Sequence, residues 1–231
     1  MAEIEGLVRA LGEDDDAAKA AAAHALGTLL GWHVDEDDAN RALIVRAGGI
    51  PPLVELLRDG SAKGKAEAAK ILAYLAVRNA NVVAIAEIGG VPPLVDLLRD
   101  GTAAAKHFAA AALRNLARDN AANVVAIAEA GGIPLLVDLL RERTIAQYAC
   151  ARALRNLASN NDANAVAVAV ALGLEALVQL ARRGRVIIDG LEVDAALPAK
   201  RKAALVVAAL LGDCVPDSVP REIRALIGPY L

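Results

Sequence analysis

The chain has 231 residues, 56% of them apolar but only 2% aromatic, and a formal net charge of -3. That length gives one or two domains with a real core. The apolar content excludes disorder, and having only Cys150 and Cys214 excludes a disulfide scaffold. The apolar surplus is alanine, leucine and valine, a helix-forming composition poor in the aromatics that fill sandwiches and barrels. The longest uncharged run, Ala163 to Leu174, is too short to span a bilayer. Glu3 and Glu5 stand where a leader would be basic, so no signal peptide is expected. A cytoplasmic or nuclear location is expected. Charge is uneven: residues 1–38 hold ten acids against Arg9 and Lys19, while the rest holds 18 acids and 23 bases. Nothing approaches the dense basic stripe of a duplex-binding protein.

In chain order, Ile4 to Leu11 is the first copy of a repeat. The full form, Gly48-Gly49-Ile50-Pro51-Pro52-Leu53-Val54-Glu55-Leu56-Leu57, returns at Gly89 to Leu98 and Gly131 to Leu140, with a worn copy at Gly173 to Leu180. The anchors Ile4, Ile50, Val91, Ile133 and Leu174 are spaced 46, 41, 42 and 41 apart. A second block, Asn81 to Glu87, recurs in frame at Asn123 to Glu129. These frames give units of about 1–31, 38–78, 79–119, 120–161 and 162–214, then a cap over 215–231, all in one domain.

Each unit reads as three helices. The first is short, as in Asn81 to Ile88, and a Gly pair ends it, suiting the left-handed position after a helix. Proline opens the second, where a missing N–H costs nothing. Asp100-Gly101-Thr102 then turns the chain, with Thr102 and, one unit earlier, Ser61 placed as N-caps. The third helix, about Thr102 to Arg118, is the longest, with Ala109, Ala112, Leu113 and Leu116 on its apolar face. No unit can bury its face alone, so each must stack on the next.

The first unit lacks its first helix and is expected to expose an apolar edge. About five extra residues lie near Gly31 to Asp38. The acidic runs Glu13–Asp16 and Asp35–Asp38 lack the alternating ligands and central Gly of a calcium loop, so solvated loops are expected. An insertion, about Arg183 to Pro198, reads as a β-hairpin turning at Asp189-Gly190 or as an irregular loop. Pro220 to Ile227 reads as a capping helix.

The Gly-Gly-Ile-Pro-Pro-Leu-Val junction and the Ala-Leu-Arg-Asn-Leu-Ala runs at 112–117 and 153–158 resemble the armadillo repeat. The likeness covers roughly residues 3 to 215 and extends to plant and algal armadillo proteins and to the beta-catenin and importin alpha superfamily. HEAT repeats share the period but lack this junction. The regular middle units would also suit a consensus-derived sequence; the irregular ends would not. The resemblance implies an all-α, right-handed α-solenoid of about five three-helix repeats. It also implies a groove lined by third helices, where an Asn on each grips an extended peptide. The matching positions are Thr28, Tyr74, Asn115, Asn156 and Ala209, so only two match. The Trp that importin alpha places four residues earlier is replaced by His24, Lys70, Ala111, Arg152 and Leu205, which disfavours nuclear-import-signal binding.

The candidate peptide-binding residues are Lys70, Tyr74, His107, Arg114, Asn115, Arg118, Tyr148, Arg152, Arg155 and Asn156. Helical offsets of three, four and eight share one face, so Lys70 and these arginines are expected to form a basic strip. Arginine's fork suits an acidic or phosphorylated segment; an ordinary solvated face is the alternative reading. The acidic first unit would then meet the basic end of the peptide. No His or Cys pair has metal-ligand spacing, no phosphate loop precedes a helix, and Cys150 reads as a small buried hydrophobe. No catalysis, cofactor or metal is expected. The two rival functions are end-to-end stacking into a homo-oligomer and binding of single-stranded nucleic acid, the latter disfavoured by the few aromatics.

Because repeat stability is a sum of unit and neighbour terms, a truncation to residues 1–173 should keep most of its helical circular dichroism. A fully unfolded truncation would contradict the nearest-neighbour picture.

Overall fold

The computed structural model describes residues 1–30, 34–142, 144–159, 161–172, 187–188 and 191–192. The worn repeat copy, the last long helix, Leu205, Ala209, Cys214 and the Pro220–Ile227 cap lie outside the described residues. Two compact units divide the chain, residues 1–116 and 117–231.

The first unit holds α1 (Ala2–Ala10), α2 (Asp16–Leu29), α3 (Val34–Arg46), α4 (Ile50–Asp59), α5 (Ala62–Leu75), α6 (Asn79–Glu87) and α7 (Val91–Asp100), then α8 (Ala103–Ala117) to its penultimate residue. The order is second helix, third helix, then two complete triplets. The other unit holds α9 (Ala121–Glu129), α10 (Gly132–Arg141), α11 (Gln147–Ala158) and α12 (Asp162–Leu172). Its two strands, β1 (Ile187–Ile188) and β2 (Leu191–Glu192), pair antiparallel with Ile188 opposite Leu191. The strands on either side of Asp189-Gly190 therefore pair as those of a hairpin do, and β1 lies against α11; the rest of the insertion lies outside the described residues.

The punctuation works as the sequence indicates. Gly48, Gly89 and Gly131 adopt φ of +78°, +80° and +79°, a region that only glycine enters without a Cβ penalty. The second glycine of each pair answers a different need. A Cβ on Gly49 or Gly90 would lie 2.7 Å from the side chain of Ile44 or Ile85, on the first helix just ended. Ser61 Oγ accepts from Gly64 N at 3.2 Å, and Thr102 Oγ1 accepts from Ala105 N at 3.2 Å, so both serve as N-caps.

Two expectations are corrected. The apolar residues of α1 leave no open edge: Ile4, Val8 and Leu11 are all buried, against α2 and α3, while Glu3, Glu5 and Arg9 take the solvent side. The run Asp35–Asp38 is not a loop, because α3 begins at Val34 and the extra residues lengthen a first helix. Carboxylates suit a helix start, where the macrodipole is positive. The run Glu13–Asp16, by contrast, is the exposed loop expected as far as Asp15, and only Asp16 is helical. Asp15 caps α2, its Oδ1 accepting from Ala17 N at 2.9 Å.

The core is aliphatic and alanine-rich. Ala109, Ala112, Leu113 and Leu116 on α8, and Leu154 and Leu157 on α11, are fully buried. Four asparagines at a spacing of 41, 42 and 41, Asn40, Asn81, Asn123 and Asn164, occupy equivalent places on the first helices. Asn40 Nδ2 donates to Leu29 O at 2.9 Å, Asn81 Nδ2 to Leu75 O at 2.9 Å, and Asn164 Nδ2 to Leu157 O at 3.1 Å. Each acceptor is a carbonyl at the end of the preceding third helix, where intrahelical donors have run out. Asn81, Asn123 and Asn164 are buried.

Asn81→Ala should therefore cost about 1 kcal/mol, the loss of one buried hydrogen bond to a carbonyl that keeps Arg78 N as a weaker donor at 3.3 Å. Exposed Asn79→Ala should stay within about 0.5 kcal/mol. Urea denaturation of the two variants makes the comparison, and equal losses would mean that the Leu75 bond carries no weight.

Candidate functional site

In the first unit the third helices α2, α5 and α8 pack in succession, and side-chain bonds across the seams fix their register. Between α2 and α5, His24 Nδ1 lies 2.8 Å from Glu67 Oε1. Lys70 Nζ lies 3.7 Å from Glu67 Oε2, which is buried and makes no hydrogen bond. Gly27 makes room for this cluster: a Cβ there would sit 3.1 Å from Glu67 Oε2 and 3.4 Å from Lys70 Nζ. Between α5 and α8, buried Asn115 donates from Nδ2 to Ala73 O at 2.9 Å. Its Oδ1 accepts from Arg114 Nε at 3.2 Å and from the same guanidinium's NH2 at 3.1 Å. Tyr74 is half-buried beside that bond in sequence, and half-buried His107 sets its ring edge-on to Phe108, centroids 5.1 Å apart.

In the other unit, α11 carries exposed Tyr148 and half-buried Arg152, Arg155 and Asn156. Arg152 NH1 donates to the Tyr148 hydroxyl at 3.3 Å, and its guanidinium carbon lies 5.8 Å from the ring centroid. That pairing follows the i, i+4 rule and presents a cation over an aromatic face. Arg118, just past α8, is exposed.

Lys70, Tyr74, His107, Arg114 and Asn115 thus fall in one unit, and Arg118, Tyr148, Arg152, Arg155 and Asn156 in the other. Sequence reasoning missed Glu67, whose carboxylate offsets Lys70. Its signal was available: in the repeat frame its place is taken by Ala21, Phe108 and Ala149.

A search for chemistry finds little. Among the described residues no His, Cys, Asp and Glu side chains cluster as a metal site, and no single helix is long and apolar enough to cross a membrane. Cys150 is buried, and desolvation pushes its thiol up to about 12, far from the thiolate that reactivity needs. The Arg78 guanidinium, hydrogen-bonded to Asp38, holds that carboxyl below its ordinary value and ties the start of α3 to the start of α6. A cleft of about 520 Å³ between α4–α5 and α7–α8 is lined by both signs of charge, Arg58 and Lys65 with Asp96 and Asp100.

The repeat frame, its glycine junctions and its capped third helices match the family model of the Armadillo/beta-catenin-like repeat at residues 37–77, 78–118 and 120–159, more than half of the chain. The chain belongs to the armadillo-repeat family. Its fold class is the all-α armadillo solenoid, to which this chain adds a two-stranded hairpin. An engineered protein of known structure is similar over 99% of this chain, with 30% identity and a TM-score of 0.74; the chain spans 51% of that protein's length. A second engineered protein shares 28% identity, with a TM-score of 0.69 and coverage of 99% of this chain and 94% of its own. A designed armadillo repeat protein, solved in complex with the peptide (KR)4, shares the fold at 24% identity, with a TM-score of 0.69 and coverage of 98% and 87%. No curated protein sequence matches the chain significantly. Armadillo repeats are a protein-binding scaffold and generally non-catalytic.

His24 is about half exposed and Glu67 Oε2 is desolvated without a hydrogen bond in return, so the His24–Glu67–Lys70 cluster should contribute little net stability. Glu67→Gln is expected to shift unfolding free energy by no more than about 1 kcal/mol. A loss of several kcal/mol on urea titration would show that Glu67 is a structural keystone instead.

Proposed function

We propose that this armadillo protein binds an extended acidic or phosphorylated peptide along the face presented by its third helices. The observation that supports this reading most directly is the Arg114–Asn115 pair, which sets a forked cation over the amide that joins α8 to α5. Arg155 repeats the position of Arg114, and Arg152 and Arg118 supply further cations, while Lys70, at the repeat position of Arg152, is offset by Glu67. Arginine's planar fork matches carboxylate and phosphate oxygens two at a time. The designed armadillo protein noted above is complexed with a basic peptide; the cations here call for the opposite charge. Glu67, paired to Lys70, marks where positive character ends toward α2.

Each exposed pair contributes only about 0–1 kcal/mol, so recognition must come from the cluster, and charge sets specificity and on-rate more than affinity. Fluorescence anisotropy with acidic, neutral and basic extended peptides tests this. Acidic peptides should bind best, weaken with salt, and lose affinity on Arg114→Glu/Arg155→Glu. If the charge-reversed protein holds acidic peptides as well as the wild type does, the partner docks elsewhere. A salt-dependent shift with single-stranded RNA and none with acidic peptide would favour the nucleic-acid reading.

A further inference from the structure

We propose that Arg114 is a latch on the peptide-binding amide, so that a carboxylate or phosphate is required to open that part of the groove rather than merely attracted to it. This rests on the peptide-binding reading above and specifies how it works at α8.

The geometry is specific. A side-chain amide grips a peptide backbone by donating from its nitrogen and accepting at its oxygen. Asn115 is 5% exposed, one of its N–H groups is engaged by Ala73 O, and its Oδ1 is engaged twice by Arg114. The donor side retains one hydrogen for a ligand carbonyl. The acceptor side is closed for as long as the guanidinium stays. A neutral peptide must displace a charge-assisted bond to reach Oδ1 and offers Arg114 only neutral carbonyl oxygens in exchange. An acidic side chain offers the guanidinium a stronger, bidentate partner. Arg114 then swings to the ligand, and Oδ1 accepts a peptide N–H. Acid recognition and backbone grip are coupled through one residue. The Arg-Asn dipeptide recurs in register at Arg155-Asn156 on α11.

The probes are two octapeptides, one alternating Ser and Glu and the other Ser and Gln, with (KR)4 as the basic control. Wild-type protein should prefer Ser-Glu over Ser-Gln by about tenfold or more, the scale of a hydrogen bond to a charged group. Arg114→Ala should weaken Ser-Glu and strengthen Ser-Gln, because removing the latch frees Oδ1. Arg114→Lys should keep the acid preference while also strengthening Ser-Gln, since a lysine ammonium lacks the planar fork. Circular dichroism checks folding of both variants, and Arg114→Lys alone carries the test if Arg114→Ala fails to fold. In a nitrogen-15 spectrum, Ser-Gln should shift the Asn115 side-chain amide of the variants far more than that of the wild type. If the variants lose Ser-Glu affinity while Ser-Gln is unchanged, Arg114 is a plain counter-charge; the latch is overturned and the groove reading stands. If neither octapeptide binds the wild type or any variant, the groove reading falls, and the latch with it.

Discussion

The third helices α2, α5 and α11 end beneath the first helix that follows, and their last carbonyls have no intrahelical donor. The asparagine amides of the following first helices meet that demand, with Asn40 at Leu29, Asn81 at Leu75 and Asn164 at Leu157. The rest of the architecture depends on these bonds. They fix where a first helix crosses the end of the preceding third helix, and the glycine junction then delivers the second helix. A buried carbonyl without a donor would cost more than the bond gains, so the position tolerates little besides a short side-chain amide. Asn164 reaches a second carbonyl, Val124 O at 3.5 Å, and so touches the first helix of the preceding repeat as well.

Asn115 shows the same chemistry put to a different use. It lies on a third helix and bonds Ala73 O of the preceding third helix, so the residue that the family resemblance assigns to ligand binding also helps hold two repeats in register. In the proposed binding mode, structural and binding roles would compete for one amide. Arg114 engages the remaining oxygen of that amide. A purely electrostatic view of the cations would miss this, because it counts charges without asking which hydrogen bonds they already make.

The α2–α5 seam illustrates the other side of local charge. His24, Glu67 and Lys70 form a partly exposed cluster that Gly27 accommodates. Such groups are cheap to retain and cheap to lose, which makes them better suited to shaping a binding face than to holding the fold. In the first unit, amides and aliphatics carry most of the burial, and the charged third-helix positions carry little of it.

Much of the fold was legible from the repeat. A 41-residue period, Gly-Gly-x-Pro junctions and Ser or Thr caps are local signals, each tied to a φ angle or a helix end, so helix type and order followed from Ile50, Val91 and Ile133 outward. Local signals could not decide partners. Nothing in the composition of Asp35–Asp38 separates an acidic loop from an acidic helix start, and only the structure shows that α3 begins at Val34 and takes them in. The burial of Ile4 and Val8 depends on α3 folding back against α1, a contact between residues distant in the chain. The candidate site divides in the same way. The sequence by itself determined that the third helices carry Asn115 and a row of cations at helical spacing. Only the tertiary structure decided that Glu67 neutralises Lys70 and that Arg114 closes over Asn115, because a side chain's hydrogen bonds are set by what packing brings within about 3 Å of it.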